Sequence, residues 1–481
     1  MHAPSLSRRL SGIDAAFLYL ERKEIPLHIA GLCVFEGTIP FKEFVASIDS
    51  RLDLLPRYRQ VVVEPPFHLG YPIWEDDPAF DIHRHIFQVA VDAPGGQAEL
   101  EALASRILTQ VMDRRKPLWD IYVIDGLAEG RGAILARVHH ALADGIAGTS
   151  LMKIILDPDP EVRPIPRKRR SRPRLAHSNG KGNGSSTLAD SVASAVHSSL
   201  ESMIMAEAVL LDFARSLFDS HTQEAMQKLL GLIPELGAAS ERFPFNKPCS
   251  GERTFSCTQF PFAQIGAIRE AAGGTANDVI LTIVTRAVSR YIELHGEPVK
   301  GRFLRMVCPV SMRHDDRGES LGNQISFLPV ALPLGIKDPM AMMRAVAART
   351  EIMKNAKAAH LVALVASWLG AAPPPLQALF WSKVPQLNLP MPLFNMICTN
   401  VPGSQTPLYA LGRKMIAFYP HVPTGYELGV NCAVQSYDGQ VFCGLTADTH
   451  VVPDVDRLRD YILASFQELR RAALRGRAAV H

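Results

Sequence analysis

Residues 132–145 read GAILARVHHALADG. An apolar run broken only by Arg137 predicts a buried strand that ends in His139 and His140, and Asp144-Gly145 follows as a turn or helix entry. Working outward, WDIYVIDGL (119–127) is a second strand candidate, joined to the first through AEGR as a hairpin or near-hairpin of a mixed sheet. Upstream, QAELEALASRILTQVM (97–112) follows the break Pro94-Gly95-Gly96. Leu100, Leu103, Ala104, Ile107, Leu108 and Val111 form one apolar stripe there, at helical spacing. Further back, GLCVFEG (31–37) predicts a buried strand, and 41–52 a helix with Phe41, Phe44, Val45, Ile48 and Leu52 on one face.

This alternation ends near residue 158. Residues 157–190 mix prolines, like charges, glycines and serines with almost no large apolar side chain, so they cannot bury enough surface to offset ordering entropy. Helical spacing resumes across 191–249 and includes the unusually apolar MIMAEAVLLDFARSLF (203–218). A second set of strand candidates starts near Arg253, among them RFLRMVCPVSM, NMICTNV, KMIAFYP and ELGVNCAVQSY, with helices over 277–294, 338–357 and 454–473. Tyr437-Asp438-Gly439 is a hairpin turn signal. The expected organisation is α/β: a lobe over 1–158, a flexible basic and Gly/Ser linker over 159–190, a helical crossover over 191–249 and a second lobe over 250–481. Each lobe has a mixed sheet flanked by helices.

The chain of 481 residues carries a formal charge of +3, but 161–174 alone holds seven basic residues and one acid. The remainder has 44 basic against 47 acidic residues, which excludes a folded nucleic-acid binder. Seven cysteines, an odd number without a CxxC pair, predict reduced core thiols and a cytoplasmic chain. The first residues lack the apolar core of a secretory signal, and Pro373 to Pro375 interrupt the longest uncharged stretch, so no transmembrane helix is expected.

A histidine at a strand end can project into a cleft, and a neutral imidazole can take the proton of a hydroxyl as its oxygen attacks. His140 is the candidate base. Taken alone, however, VHHALADG more often makes an exposed Asp-Gly turn. Metal binding by His139, His140 and Asp144 is disfavoured, because neighbouring strand residues point to opposite faces and no ligand spacing supports it. Asn277 and Asp278 stand at a predicted helix start, where such residues usually cap.

Taken together these features resemble the bacterial wax ester synthase/acyl-CoA:diacylglycerol acyltransferase family. Wider kinship is with CoA-dependent acyltransferases of the chloramphenicol acetyltransferase type and with condensation domains. The resemblance runs through LSGIDAAFLYLE (10–21), FDIHRHI (80–86), APGG (93–96), DRRKPLW (113–119), HHALADG, the Asn277-Asp278 pair, PVSMR, LGNQ, NVPG and SYDGQVFCGLTADTHVVPD (436–454). It implies a two-lobe fold like that of chloramphenicol acetyltransferase, with His140 as base and Asp144 fixing the loop. It also implies that His139 and Gly145 shape the site and that Asn277 and Asp278 support it from the second lobe. Pro117, Leu118 and Trp119 would be structural. Ser404 departs from the family's NVPGP, where proline would follow glycine. The implied reaction moves a fatty acyl group from acyl-CoA, a co-substrate, to diacylglycerol or a long-chain alcohol, without other cofactor or metal. Asn277 and neighbouring backbone N–H groups are candidate oxyanion donors, and capping is the equal alternative for Asn277. The apolar helices and the basic run are compatible with a peripheral place at the inner membrane face or a lipid droplet. Rival readings are acyl transfer from a carrier-protein thioester and a silent lipid-binding protein on the same scaffold. Oligomeric state has no sequence signal here.

Overall fold

β6 (Gly132–His139) is buried along its whole length, as its apolar run requires of a strand with neighbours on both sides. It runs antiparallel to β1 (His28–Phe35) and to β5 (Trp119–Asp125), the second being the expected hairpin partner. β4 (Ile86–Ala90) adds parallel to β5. This computed structural model describes residues 8–65, 70–142, 151–152, 154–161, 241–311, 325–355, 374–383 and 394–478. Asp144, Gly145, LGNQ, the helix expected over 203–218 and nearly all of the expected linker and crossover lie outside these residues.

Two strands from late in the chain complete the first sheet. β12 (Arg413–His421) pairs antiparallel with β1, from Ala30↔His421 to Phe35↔Met415, and the short β11 (Tyr409–Ala410) pairs with β12. This corrects the expectation that 250–481 forms one lobe. Leu32, Cys33, Val34 and Phe35 are buried, so β1 needs a partner on its second edge, and β12 supplies it.

The second sheet has the order β7 (Arg253–Pro261), β14 (Gln440–Asp448), β13 (Val430–Tyr437), β10 (Met396–Val401), β8 (Phe303–Ser311), β9 (Ile325–Pro333). β10 is parallel to β13 and β8, and the other pairings are antiparallel. A small separate ribbon joins β2 (Gln60–Val63) to β3 (Ile73–Asp76).

Helices cover these sheets by the stripes seen in sequence. In the first lobe they are α1 (Gly12–Leu20), α2 (Phe41–Arg51) and α3 (Gln97–Leu108). In the second they are α4 (Phe262–Ala272), α5 (Ala276–Leu294), α6 (Pro339–Asn355) and α8 (Val455–Ala478). α7 (Pro374–Lys383) packs against α1. α8 buries Leu458, Ile462, Phe466, Leu469 and Ala473, one stripe at helical spacing. α5 is buried nearly all round, being enclosed by the second sheet, α6 and α8.

The two lobes are locked in two places. Gly444 of β14 passes so close to β12 that an added Cβ would sit 2.0 Å from the Pro420 carbonyl oxygen, so only glycine fits. The outer edge of β7 is covered by α3: the N–H groups of Arg253, Phe255 and Cys257 donate to Thr109 Oγ1, Ser105 Oγ and Glu101 Oε1 at 3.0, 2.8 and 3.0 Å. Four residues of helix rise about 6.0 Å and two of strand about 6.7 Å, so positions 101, 105 and 109 keep step with alternate strand amides. The edge is thus satisfied by side chains instead of a seventh strand.

Candidate active site

The site is built where β6 stops. The His139 N–H donates to the Leu118 carbonyl at 3.0 Å, and the His140 N–H donates to Leu27 O at 2.9 Å, just ahead of β1. The chain then turns tightly. Ala141 N–H donates to His139 Nδ1 at 3.0 Å and Leu142 N–H to His139 O at 2.9 Å.

The His140 ring lies flat on Phe17 of α1, with centroids 3.9 Å apart and planes 14° from parallel. Its Nδ1 is shut from solvent and has no hydrogen-bond partner among the described residues, while the residue as a whole is half-buried. Burial lowers its pKa to about 4. The ring is neutral at pH 7. That is the protonation state a base requires.

His139 is fully buried, and its Nε2 lies 3.2 Å from Glu21 Oε1. Glu21 follows α1 and also accepts from Leu27 N–H at 3.0 Å and from Arg114 Nε and Nη2 at 3.3 and 3.1 Å. Burial pushes its carboxyl up, but His139, the Leu27 N–H and Arg114 together hold it below the usual carboxylate value. Two residues before His139, Arg137 forms a buried two-pronged pair with Asp120 of β5, at 2.8 and 2.7 Å.

Leu118 and Trp119 are wholly buried. The Trp119 indole donates to Tyr58 O at 2.7 Å and stacks on His85 at 4.5 Å, so PLW meets FDIHRHI in the core beneath the strand ends. In the second lobe, Asp278 is the third residue of α5. It accepts from the Thr275 N–H and Oγ1, both at 2.8 Å, and from Thr350 Oγ1 at 2.6 Å. It is buried and engaged as a capping group. Its neighbour Asn277 accepts from Asn400 Nδ2 at 3.1 Å, tying the helix start to the NVPG loop. No hydrogen bond or ion pair among the described residues joins this pair to His139 or His140. No group of three or more His, Cys, Asp or Glu among the described residues could hold a metal.

Glu21, Arg114, Leu27 and Phe17 went unassigned at the sequence level. Glu21 and Phe17 lie within LSGIDAAFLYLE and Arg114 within DRRKPLW. A lone acid ending an apolar helical run reads there as a solvated cap. A cavity of about 620 Å³ opens among Leu18, Tyr19, Arg22, Val111, Met112 and Leu379, with Glu21 also in its wall.

Two six-stranded mixed sheets, with a neutral imidazole at the end of a central strand, define a two-lobe acyltransferase fold of the chloramphenicol acetyltransferase kind. The chain matches the wax ester synthase/diacylglycerol acyltransferase catalytic domain over residues 10–280 and the C-terminal domain of that family over 321–470. It belongs to this family of acyltransferases. Relatives include a probable diacylglycerol O-acyltransferase (tgs2) of Mycobacterium tuberculosis, 30% identical over 95% of this chain and 98% of the relative. A second from that organism, tgs1, is 29% identical over 93% of each. The solved wax ester synthase/diacylglycerol acyltransferase from Marinobacter aquaeolei VT8 shares the fold, with TM-score 0.66 and 23% identity over 97% of this chain and 99% of that one. So does a starter condensation domain of rhizomide synthetase RzmA, with TM-score 0.51 and 16% identity over 98% and 95%.

Proposed function

We propose that this enzyme transfers a fatty acyl group from acyl-CoA to the free hydroxyl of diacylglycerol, with long-chain alcohols as further acceptors. His140 is the general base. An aliphatic alcohol is not ionised near neutral pH, so its proton must leave as its oxygen attacks the thioester carbonyl. The ring proton sits on the solvent-shut Nδ1 of His140, and Nε2 takes the acceptor proton. The new C–O bond forms as the tetrahedral centre develops. The C–S bond then breaks, and the same proton passes to the departing CoA sulfur. The products are an ester and free CoA, with no covalent acyl-enzyme. Asn277 and backbone N–H groups beside it are the proposed oxyanion donors.

The single observation that carries this reading is the His140 imidazole. It is held neutral by burial at the end of β6 and fixed flat against Phe17. Acyl-CoA serves as co-substrate, and no other cofactor enters the reaction. Its lipid acceptor partitions into lipid surfaces, so the chain is proposed to work at one; no described helix is long and apolar enough to cross a membrane.

Purified enzyme is given labelled palmitoyl-CoA with diacylglycerol, hexadecanol, cholesterol or no acceptor, and a palmitoyl carrier protein replaces the CoA ester in a parallel set. Thiol release and lipid products are both measured. Triacylglycerol formation that depends on acyl-CoA and is lost in His140→Ala is the expected result. Equal rates in wild type and His140→Ala discard the base, and transfer only from the carrier protein discards the donor.

A further inference from the structure

We propose that Glu21 is a positioning residue for His140, acting through Leu27 and His139 without touching substrate. The inference rests on His140 being the base. One carboxylate oxygen, Oε1, meets both the Leu27 N–H at 3.0 Å and His139 Nε2 at 3.2 Å. Leu27 in turn presents its carbonyl to the His140 N–H at 2.9 Å. On the other side of His140, the Ala141 N–H donates to His139 Nδ1 at 3.0 Å. The backbone on each side of the base is therefore pinned, and both restraints end on the same oxygen.

The tautomer of His139 follows from these contacts. Nδ1 accepts a hydrogen bond, so it carries no proton, and the ring proton sits on Nε2, which lies 3.2 Å from Glu21 Oε1 without the alignment of a hydrogen bond. A reversed ring would set N–H against N–H at Ala141 and a bare nitrogen against a carboxylate. The nearby Glu21 carboxylate thus favours, by its charge, the tautomer that holds the 139–142 turn. The other oxygen, Oε2, is held by Arg114, whose Nη2 also donates to Leu18 O at 2.6 Å. Arg114 has a second acid, Glu64, at 3.7 Å, so it keeps a partner when Glu21 is neutralised.

The base must point within a fraction of an ångström of the acceptor proton, and a misplacement of about 1 Å costs about 10²-fold in rate. The test compares Glu21→Gln and Arg114→Met with wild type in the full chain, reading kcat, KM for palmitoyl-CoA, melting temperature and histidine ¹⁵N spectra. Glu21→Gln is expected to lose on the order of 10²-fold in kcat, with KM changed by no more than about twofold. Arg114→Met keeps Leu27 and His139 on Oε1 and is expected to lose less kcat than Glu21→Gln. Wild-type kcat in Glu21→Gln overturns the proposal. So does an equal loss in Arg114→Met, which would make the role bulk ion pairing. If Glu21→Gln does not fold, the ¹⁵N spectrum of wild type still decides, with His139→Gln assigning the resonance. An Nδ1-protonated or doubly protonated His139 overturns the proposal, and an Nε2-protonated ring supports it. Failure of the base assignment looks different, with His140→Ala matching wild type whatever the state of His139.

Discussion

Burial places His140 at about 4 where an ordinary histidine titrates at 6.5, and that displacement is visible in the pH profile. At pH 5.5 a base of pKa about 4 is about 97% neutral, whereas one at about 6.5 is about 9% neutral. At pH 8 both are neutral almost completely. The value of kcat/KM for acyl-CoA should therefore stay flat within a few per cent between pH 8 and 5.5, instead of falling about tenfold. Phe17 tests the cause, because its ring covers one face of the imidazole at 3.9 Å. Phe17→Leu readmits water to that face and should raise the acid limb by on the order of one pH unit, leaving about three quarters of the plateau value at pH 5.5.

The assay is quenched labelled-product formation at subsaturating acyl-CoA, since thiol reagents lose sensitivity in acid. Circular dichroism at each pH separates titration from unfolding. A wild-type profile bending near pH 6.5 in folded protein would refute the reasoning, as would a Phe17→Leu limb that moves downward.

Three further outcomes follow from the same contacts. Ser105→Ala strands the buried Phe255 N–H, which Ser105 Oγ meets at 2.8 Å, and should cost about 1–3 kcal/mol in urea unfolding, with the midpoint lowered and the slope unchanged. Asp278→Ala removes acceptors for Thr275 and Thr350 and should lower stability by about 1–3 kcal/mol, while kcat per folded molecule falls by less than about tenfold; a larger loss would make Asp278 part of the chemistry. Burial depresses His85 to about 4 and His421 to about 3, so the unfolded chain binds more protons below pH 6.5. Their contribution is complete above pH 6.5 and is lost as pH falls towards 4 and then 3. Urea midpoints should drop steeply over that window, and constant midpoints from pH 7 to 4.5 would contradict it.

What was legible in the sequence was local. The run ending in His139 and His140 predicts β6 because Ala133 to Ala136, with Val138 beyond Arg137, put apolar side chains on both faces of a strand, which then needs cover on both sides. The 97–112 stripe predicts α3 by period, and Asn277-Asp278 is readable as a helix start where such residues cap. The resemblance implies that Asp278 supports the site, and its hydrogen bonds show it capping α5. What was not legible depends on partners far away in the chain. KMIAFYP alternates as a strand should, yet alternation does not say which sheet it joins, and β12 crosses into the first. Glu21 has its meaning through Arg114, 93 residues on, and His139 beyond it. Asn277 likewise meets Asn400 across 123 residues.

That non-locality has a mechanical consequence. β12 comes from the second half of the chain and pairs with β1 from Ala30 to Phe35. The residue just before β1, Leu27, is the one whose carbonyl holds the His140 N–H. On the far side of the same interface, α3 caps the free edge of β7, and β14 presses against β12 through Gly444. A displacement of the second lobe therefore cannot leave the base where it was. It must drag β12, and with it the register of β1 and the Leu27 carbonyl, or else break buried hydrogen bonds along α3. The described seam therefore acts as the fixed frame against which His140 is aimed.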